Sequence, residues 1–194
     1  MSNIFQNMQI AAFRAGIQPR TKESQKWFRQ KANAMRRVNR SAIVKEDPVN
    51  QTGRFLPGKM YMFTYDPKTK DKLPYYDTFP LIVAVDKAPG GFYGLNLHYL
   101  PPMLRAKLLD ALMDNLTNKR YNDSTKFKIN YSMLKAASKY KHFAPCFKHY
   151  LTGHVQSKFA EVAAPEWEIA TFLPMANFQK SGKNRVYRDS RKQI

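Results

Sequence analysis

The chain has 194 residues, 33 Lys and Arg against 14 Asp and Glu, a formal charge of +19 and a pI near 10.1. Its hydrophobic fraction of 43%, with 13% aromatics, is enough to bury a core and excludes global disorder. One cysteine excludes an internal disulfide framework and suits a reducing compartment, or a particle assembled in one, and no run of about 18 apolar residues is present to span a membrane.

The charge is uneven. Residues 1–60 carry 12 basic and 3 acidic groups, residues 61–120 carry 8 and 6, and residues 121–194 carry 13 and 5. A nearly neutral centre thus lies between two basic flanks, a pattern that points to a polyanionic partner. The length suits one domain with extensions: a basic helical arm and connector over 1–57, an α+β core over 58–176 and a basic tail over 177–194.

In chain order, Ile4, Phe5, Met8, Ala11, Ala12 and Ala15 fall at helical spacing, with Gly16 and Pro19 as stop signals. Met1 to Gly16 lacks the basic start and continuous apolar run of a secretory signal. A second helix is expected from Thr21, as N-cap, to Val38, with Trp27, Phe28, Met35 and Val38 as a thin apolar stripe among Lys22, Lys26, Arg29, Lys31, Arg36, Arg37 and Arg40. Such a helix suits a phosphate backbone or an acidic partner groove, or is simply a solvated face. Ser41 to Pro57 has no sustained period and reads as an extended connector.

Lys59 to Tyr65 alternates with period two, as a strand does, and Asp66-Pro67 stops it. Leu81 to Val85 reads as a strand buried on both faces, and Pro89-Gly90-Gly91 as a reversal into a third strand, Phe92 to Tyr99. Pro101-Pro102 opens a helix whose apolar face is Leu104, Leu108, Ala111 and Leu112. Lys126 to Ile129 is a candidate closing strand, and Ile129 to Tyr140 resumes a helical pattern. Phe143 to Ala160 is expected to be helical, and Glu166 to Leu173 to be a strand ended by Pro174. The tail has six basic groups against Asp189 and too little apolar surface to fold alone. The fold class expected is α+β, with a small, strongly curved antiparallel sheet of the SH3-like barrel kind, flanking helices and basic terminal arms.

Metal and catalytic chemistry find little support. His142, Cys146, His149 and His154 are zinc-type donors, but they crowd into one short segment, where structural sites use separated pairs. His98 and Asp77 could form an acid–base pair, yet nothing positions a nucleophile beside them, so a buried hydrogen-bonded histidine is the expected state. Phosphate-binding and dinucleotide-binding glycine loops are absent. No cofactor, metal or small-molecule substrate is expected.

Three stretches carry a resemblance: Met60-Tyr61-Met62-Phe63-Thr64-Tyr65-Asp66-Pro67-Lys68, Leu73 to Leu81, and Gly94-Leu95-Asn96-Leu97-His98-Tyr99-Leu100-Pro101-Pro102. With patchier similarity at His142 to Val155, Glu166 to Pro174 and Val186 to Arg191, the chain resembles a family of virion-associated proteins of T4-like contractile-tailed bacteriophages. The resemblance implies a virion protein, made in the host cytoplasm and part of a multi-subunit assembly, with no catalytic residues to transfer. The resemblance also implies a place at the end of packaged DNA or, alternatively, in the neck, tail or baseplate. Lys26, Arg29, Lys31, Arg36, Arg37 and Arg40 in one arm, with Lys180, Lys183, Arg185, Arg188 and Arg191 in the other, are the candidate contacts to DNA or to other virion proteins. A small phosphodiester-processing enzyme is the remaining alternative.

Overall fold

The structure is a computed structural model that describes residues 4–35, 38–45, 51–53, 55–117, 131–133, 135–136 and 141–193. Its helices are α1 (Ile4–Arg14), α2 (Lys22–Ala34), α3 (Arg40–Lys45), α4 (Pro102–Thr117), α5 (Trp167–Phe172) and α6 (Lys183–Lys192). Its strands are β1 (Gln51–Thr52), β2 (Met60–Met62), β3 (Tyr76–Asp77), β4 (Leu81–Ala88), β5 (Gly91–Asn96), β6 (Phe147–Leu151), β7 (Phe159–Val162) and β8 (Phe178–Gln179). The class is α+β.

The longest apolar run becomes the central strand β4. It pairs with β2 on one side and β5 on the other in an antiparallel sheet ordered β1-β7-β2-β4-β5-β6. Two glycines permit the β4–β5 hairpin for different reasons. Gly90 takes φ of +69° after Pro89, whereas at Gly91 a Cβ would lie 1.8 Å from the Tyr150 carbonyl oxygen, so the neighbouring strand excludes any side chain there.

Alternation along the strands separates two cores. Met60, Met62, Leu81, Val83 and Leu95 face the helices, while Tyr61, Phe63, Ile82, Phe92, Tyr150 and Phe159 form an aromatic cluster on the other face. This cluster reveals how strongly the sheet coils. In a flat sheet, β6 and β7 would stand about 19 Å apart, four spacings of about 4.8 Å. Yet the rings of Tyr150 on β6 and Phe159 on β7 lie 5.4 Å and 5.1 Å from the ring of Phe63. Beyond β2, the Tyr65–Val155 bridge and the bond from Gln156 N to the Thr64 carbonyl, 2.8 Å, stitch the folded-over ends together. The curvature expected of the sheet is present, but among the described residues the ladder does not close into a barrel: β1 and β6 remain edges.

The helical layer is centred on α5. All six of its residues are buried, with α1, α2 and α4 packed around them. The strand expected at Glu166 to Leu173 is therefore a helix, because a short segment buried on every side shows no period to read. Thr171 Oγ1 satisfies itself on the Trp167 carbonyl one turn back, and the Trp167 indole donates to the Val162 carbonyl. α2 ends at Ala34; its Thr21–Ser24 capping box holds the start, and Ser24, Phe28 and Ala32 form its buried face. α1 contributes Phe5, Met8 and Ala12 to the same core.

Other expectations shift. Phe143 to Ala160 is not a helix: a 3₁₀ stretch over Lys141–Cys146 leads into β6, and a further 3₁₀ turn at Thr152–His154 precedes β7. Pro145 and Gly153 break the segment, and pairing with β5 supplies the backbone partners that a helix would have supplied internally. The connector expected over Ser41 to Pro57 contains most of α3 and β1 rather than continuous extended chain. The third strand stops at Asn96, whose side chain caps a 3₁₀ turn over Leu97–Tyr99. Part of the tail is the helix α6, docked on that turn through buried Val186 and Ser190; the serine hydroxyl donates to the Tyr99 carbonyl at 2.9 Å. The strand expected at Lys126 to Ile129 lies outside the described residues, as does most of the helix expected at Ile129 to Tyr140; residues 131–133 and 135–136 are helical.

Candidate nucleic-acid interface

Nine of the eleven basic candidates fall into three groups. Lys26, Arg29 and Lys31 are exposed on α2, and the Lys31 ammonium lies 5.3 Å from the centre of the Trp27 ring. Lys183, Arg185, Arg188 and Arg191, joined by Lys192, are exposed on α6, with Asp189 as the helix's one acid, 3.8 Å from Arg185. Arg40 and Lys180 have internal tasks. The Arg40 guanidinium donates to the carbonyls of Met175 and Ala176 at 2.7 and 3.1 Å, tying α3 to the segment after α5. The Lys180 ammonium donates to the carbonyls of Lys70, Asp71 and Leu73, fixing the loop between β2 and β3. Arg36 and Arg37 lie outside the described residues. α2 packs on α4 and α5, whereas α6 packs on the 3₁₀ turn after β5.

That same turn, the β2–β3 loop and β6 enclose a cleft of about 450 Å³. Tyr65, Tyr75, Tyr76, Tyr99 and Tyr150 line it together with Lys68, Lys148, His149 and, from the end of α6, Gln193. Tyr75 and Tyr76 are partly exposed; Tyr99 and Tyr150 are buried, and burial holds both phenols far above the ordinary tyrosine range. The Lys148 ammonium sits 4.3 Å from the centre of the Tyr99 ring. Among the described residues no carboxylate pairs with it, and burial pushes its pKa down.

The floor of the cleft is a polar network centred on Asp77, in which the buried His98 Nε2 has no partner among the described residues. Asp77 is buried, and each of its oxygens has two donors: Phe79 N and Asn177 N on Oδ1, Asn96 Nδ2 and His98 Nδ1 on Oδ2, the last at 2.7 Å. Burial works against the Asp77 anion, but His98 and these donors overcome it and hold the carboxyl below its usual range. Burial, with Arg105 and Arg40 nearby, pushes His98 down, so it is a neutral imidazole whose Nδ1–H points at Asp77. Below it, buried Arg105 donates to the carbonyls of Leu100, Thr171 and His98 and to the Tyr187 hydroxyl at 2.6 Å, joining α4, α5 and α6 in one knot.

The zinc-type donors do not share one place. Cys146 is buried, with its thiol pushed up to about 12 by burial; His149 is exposed against Tyr93; and His154 Nδ1 bonds the Asp66 carbonyl. The His142 side chain lies outside the described residues. Among the described residues no group of His, Cys, Asp and Glu is placed to hold a metal ion, and no helix is long and apolar enough to cross a membrane. The His98–Asp77 pair is legible in the sequence, whereas the roles of Lys148 and Arg105 are not. Lys148 stands in a segment whose spacing reads as helical, and nothing in the spacing of Arg105 marks it as buried.

An open, coiled sheet under a helical layer, with a cationic helix beside a tyrosine-lined cleft, defines a basic α+β protein with the outward chemistry of a polyanion binder. The family model described as phage T4 terminal DNA protecting protein matches residues 3–192, and the chain belongs to that family. It is thus a phage protein of the virion or the infected host cell, with DNA as its partner and no positive sign of catalysis. No curated protein and no solved structure matches the chain significantly.

Proposed function

We propose that the protein is a non-enzymatic virion component that binds the end of packaged DNA through basic surfaces carried by its N-terminal segment, 1–57, and its C-terminal segment, 177–194. The observation that carries this reading is α6. Val186, Tyr187 and Ser190 anchor the helix, which leaves Lys183, Arg185, Arg188, Arg191 and Lys192 in water with one acid among them, beside an aromatic cleft. Charges held on a docked helix bind phosphates without the ordering cost of a free tail. Lys26, Arg29 and Lys31 on α2 supply a second contact region, while Arg40 and Lys180 act as struts that hold α3 and the cleft wall.

Replacing Lys183, Arg185, Arg188 and Arg191 together with Gln tests this. Each phosphate that the variant leaves unneutralised should flatten the slope of log affinity against log salt on duplex DNA by about 0.9. The fold should survive, since none of the four is buried. An unchanged slope would remove α6 from the interface. A second reading, an adaptor docking on other virion proteins of the neck, tail or baseplate, draws on α1, where Phe13 is 85% and Ile10 41% exposed. A four-fold Gln variant that binds DNA normally yet fails to enter particles would favour it.

A further inference from the structure

We propose that the cleft receives one unpaired terminal nucleotide of a DNA strand, its base lying against Tyr75 and Tyr76 and its phosphate drawn to Lys148 and Lys68. This rests on the DNA-binding reading above and deepens it by giving the strand terminus a site of its own.

Size, surface and charge lead to this occupant independently. A volume of about 450 Å³ is that of a site enclosing one small molecule, and a duplex, whose major groove alone is about 12 Å wide, cannot enter it. Its accessible walls are aromatic: Tyr75, partly exposed, is braced by the rings of Tyr99 at 6.1 Å and Phe178 at 6.4 Å, and Tyr76 belongs to β3, which pairs with β8. Aromatic faces accept any base, so this wall does not depend on the sequence of the end.

The charge at the cleft is a cation waiting for an anion. Lys148 is drawn partly out of water and rests on a π-face, without a carboxylate among the described residues to balance it. A charge drawn partly out of water without a partner opposes folding, so its presence in a cleft that Lys68 also lines is explained by a ligand that carries the missing negative charge. The acid on the floor does not compete for Lys148, since its four donors, His98 and Asn96 among them, saturate both oxygens of Asp77.

The test uses the full chain and short duplexes bearing a single-nucleotide overhang, with the fluorescent base 2-aminopurine placed either in that overhang or at the centre. Binding should change the fluorescence of the overhang probe and leave the central one alone. Lys148→Met and Tyr75→Ala should each weaken binding of the overhang duplex about tenfold, with Tm unchanged or raised for Lys148→Met. The exposed Lys68→Met, which cannot unfold the protein, should weaken it in the same direction by less. Salt-dependent binding with a silent overhang probe, or with Lys148→Met and Lys68→Met both at wild-type affinity, overturns the cleft assignment and leaves the DNA reading standing. Absence of any DNA binding overturns both. Displacement of the probe by a glutamate-rich peptide but not by a free mononucleotide also overturns the assignment and identifies an acidic protein segment as the occupant.

Discussion

Arg105 and Lys148 are two cations drawn out of water, the first fully and the second in part, beside the 3₁₀ turn over Leu97–Tyr99, and among the described residues neither is paired with a carboxylate. The likeness ends there. Arg105 makes four hydrogen bonds, to three carbonyls and a phenol, so its guanidinium is dissolved in the protein as it would be in water. Among the described residues Lys148 has only the face of Tyr99. A buried charge satisfied by permanent neighbours is a structural device; one left with a single weak partner in an open cleft is a device for something that comes and goes.

The contrast breaks most visibly at Arg105. Truncating it to Ala strands three buried carbonyls and the Tyr187 hydroxyl, which should destabilise the protein by about 3–5 kcal/mol and lower Tm by roughly 10 °C. Thermal melts of Arg105→Ala beside Lys148→Met would measure the difference; equal losses would erase the distinction between the two sites.

A smaller effect sharpens the picture of the network between them. His98 is held below its unfolded value of about 6.5 and Asp77 below its value of about 3.9. In both cases the unfolded chain binds the proton more readily, so stability falls as the pH falls. The decline should begin near pH 6.5 from His98 and steepen below about pH 4 as Asp77 joins. His98→Asn, which keeps a donor toward Asp77 but does not titrate, should flatten the first part of the curve. A variant curve as steep as the wild type between pH 6.5 and 5 would assign the decline to other groups.

What can be read in the sequence depends on where the determining contacts lie. The β4–β5 hairpin is legible because Pro89-Gly90-Gly91 and the flanking apolar runs act within a few residues. α1, α2 and α4 are legible for the same reason, as periodic apolar positions bounded by local start and stop residues such as Gly16, Thr21 and Pro102. The segment β6 reads as helix because Phe147, Tyr150 and Leu151 happen to fall at helical spacing, whereas pairing with β5, more than fifty residues away, decides its conformation. α5 hides its period by being buried all round, and α6 hides its anchor, Val186 and Ser190, among six charges. For the candidate site, composition locates the basic regions but cannot separate free cations from Arg40 and Lys180, whose carbonyl acceptors come from distant segments. The cleft needs three such segments to meet, so only its Tyr75-Tyr76 doublet is visible in the sequence.

On the proposed function this chain recognises where DNA ends, through charges on α6 and a cleft for the last nucleotide. The most direct measurement is competition between two duplexes of the same sequence and length, one with open ends and one with both ends closed by hairpin loops, at a fixed moderate salt concentration. The open duplex is expected to displace the closed one at markedly lower concentration. Equal competition by the two would show a protein that binds phosphates along the duplex and is indifferent to the end, and would contradict the claim.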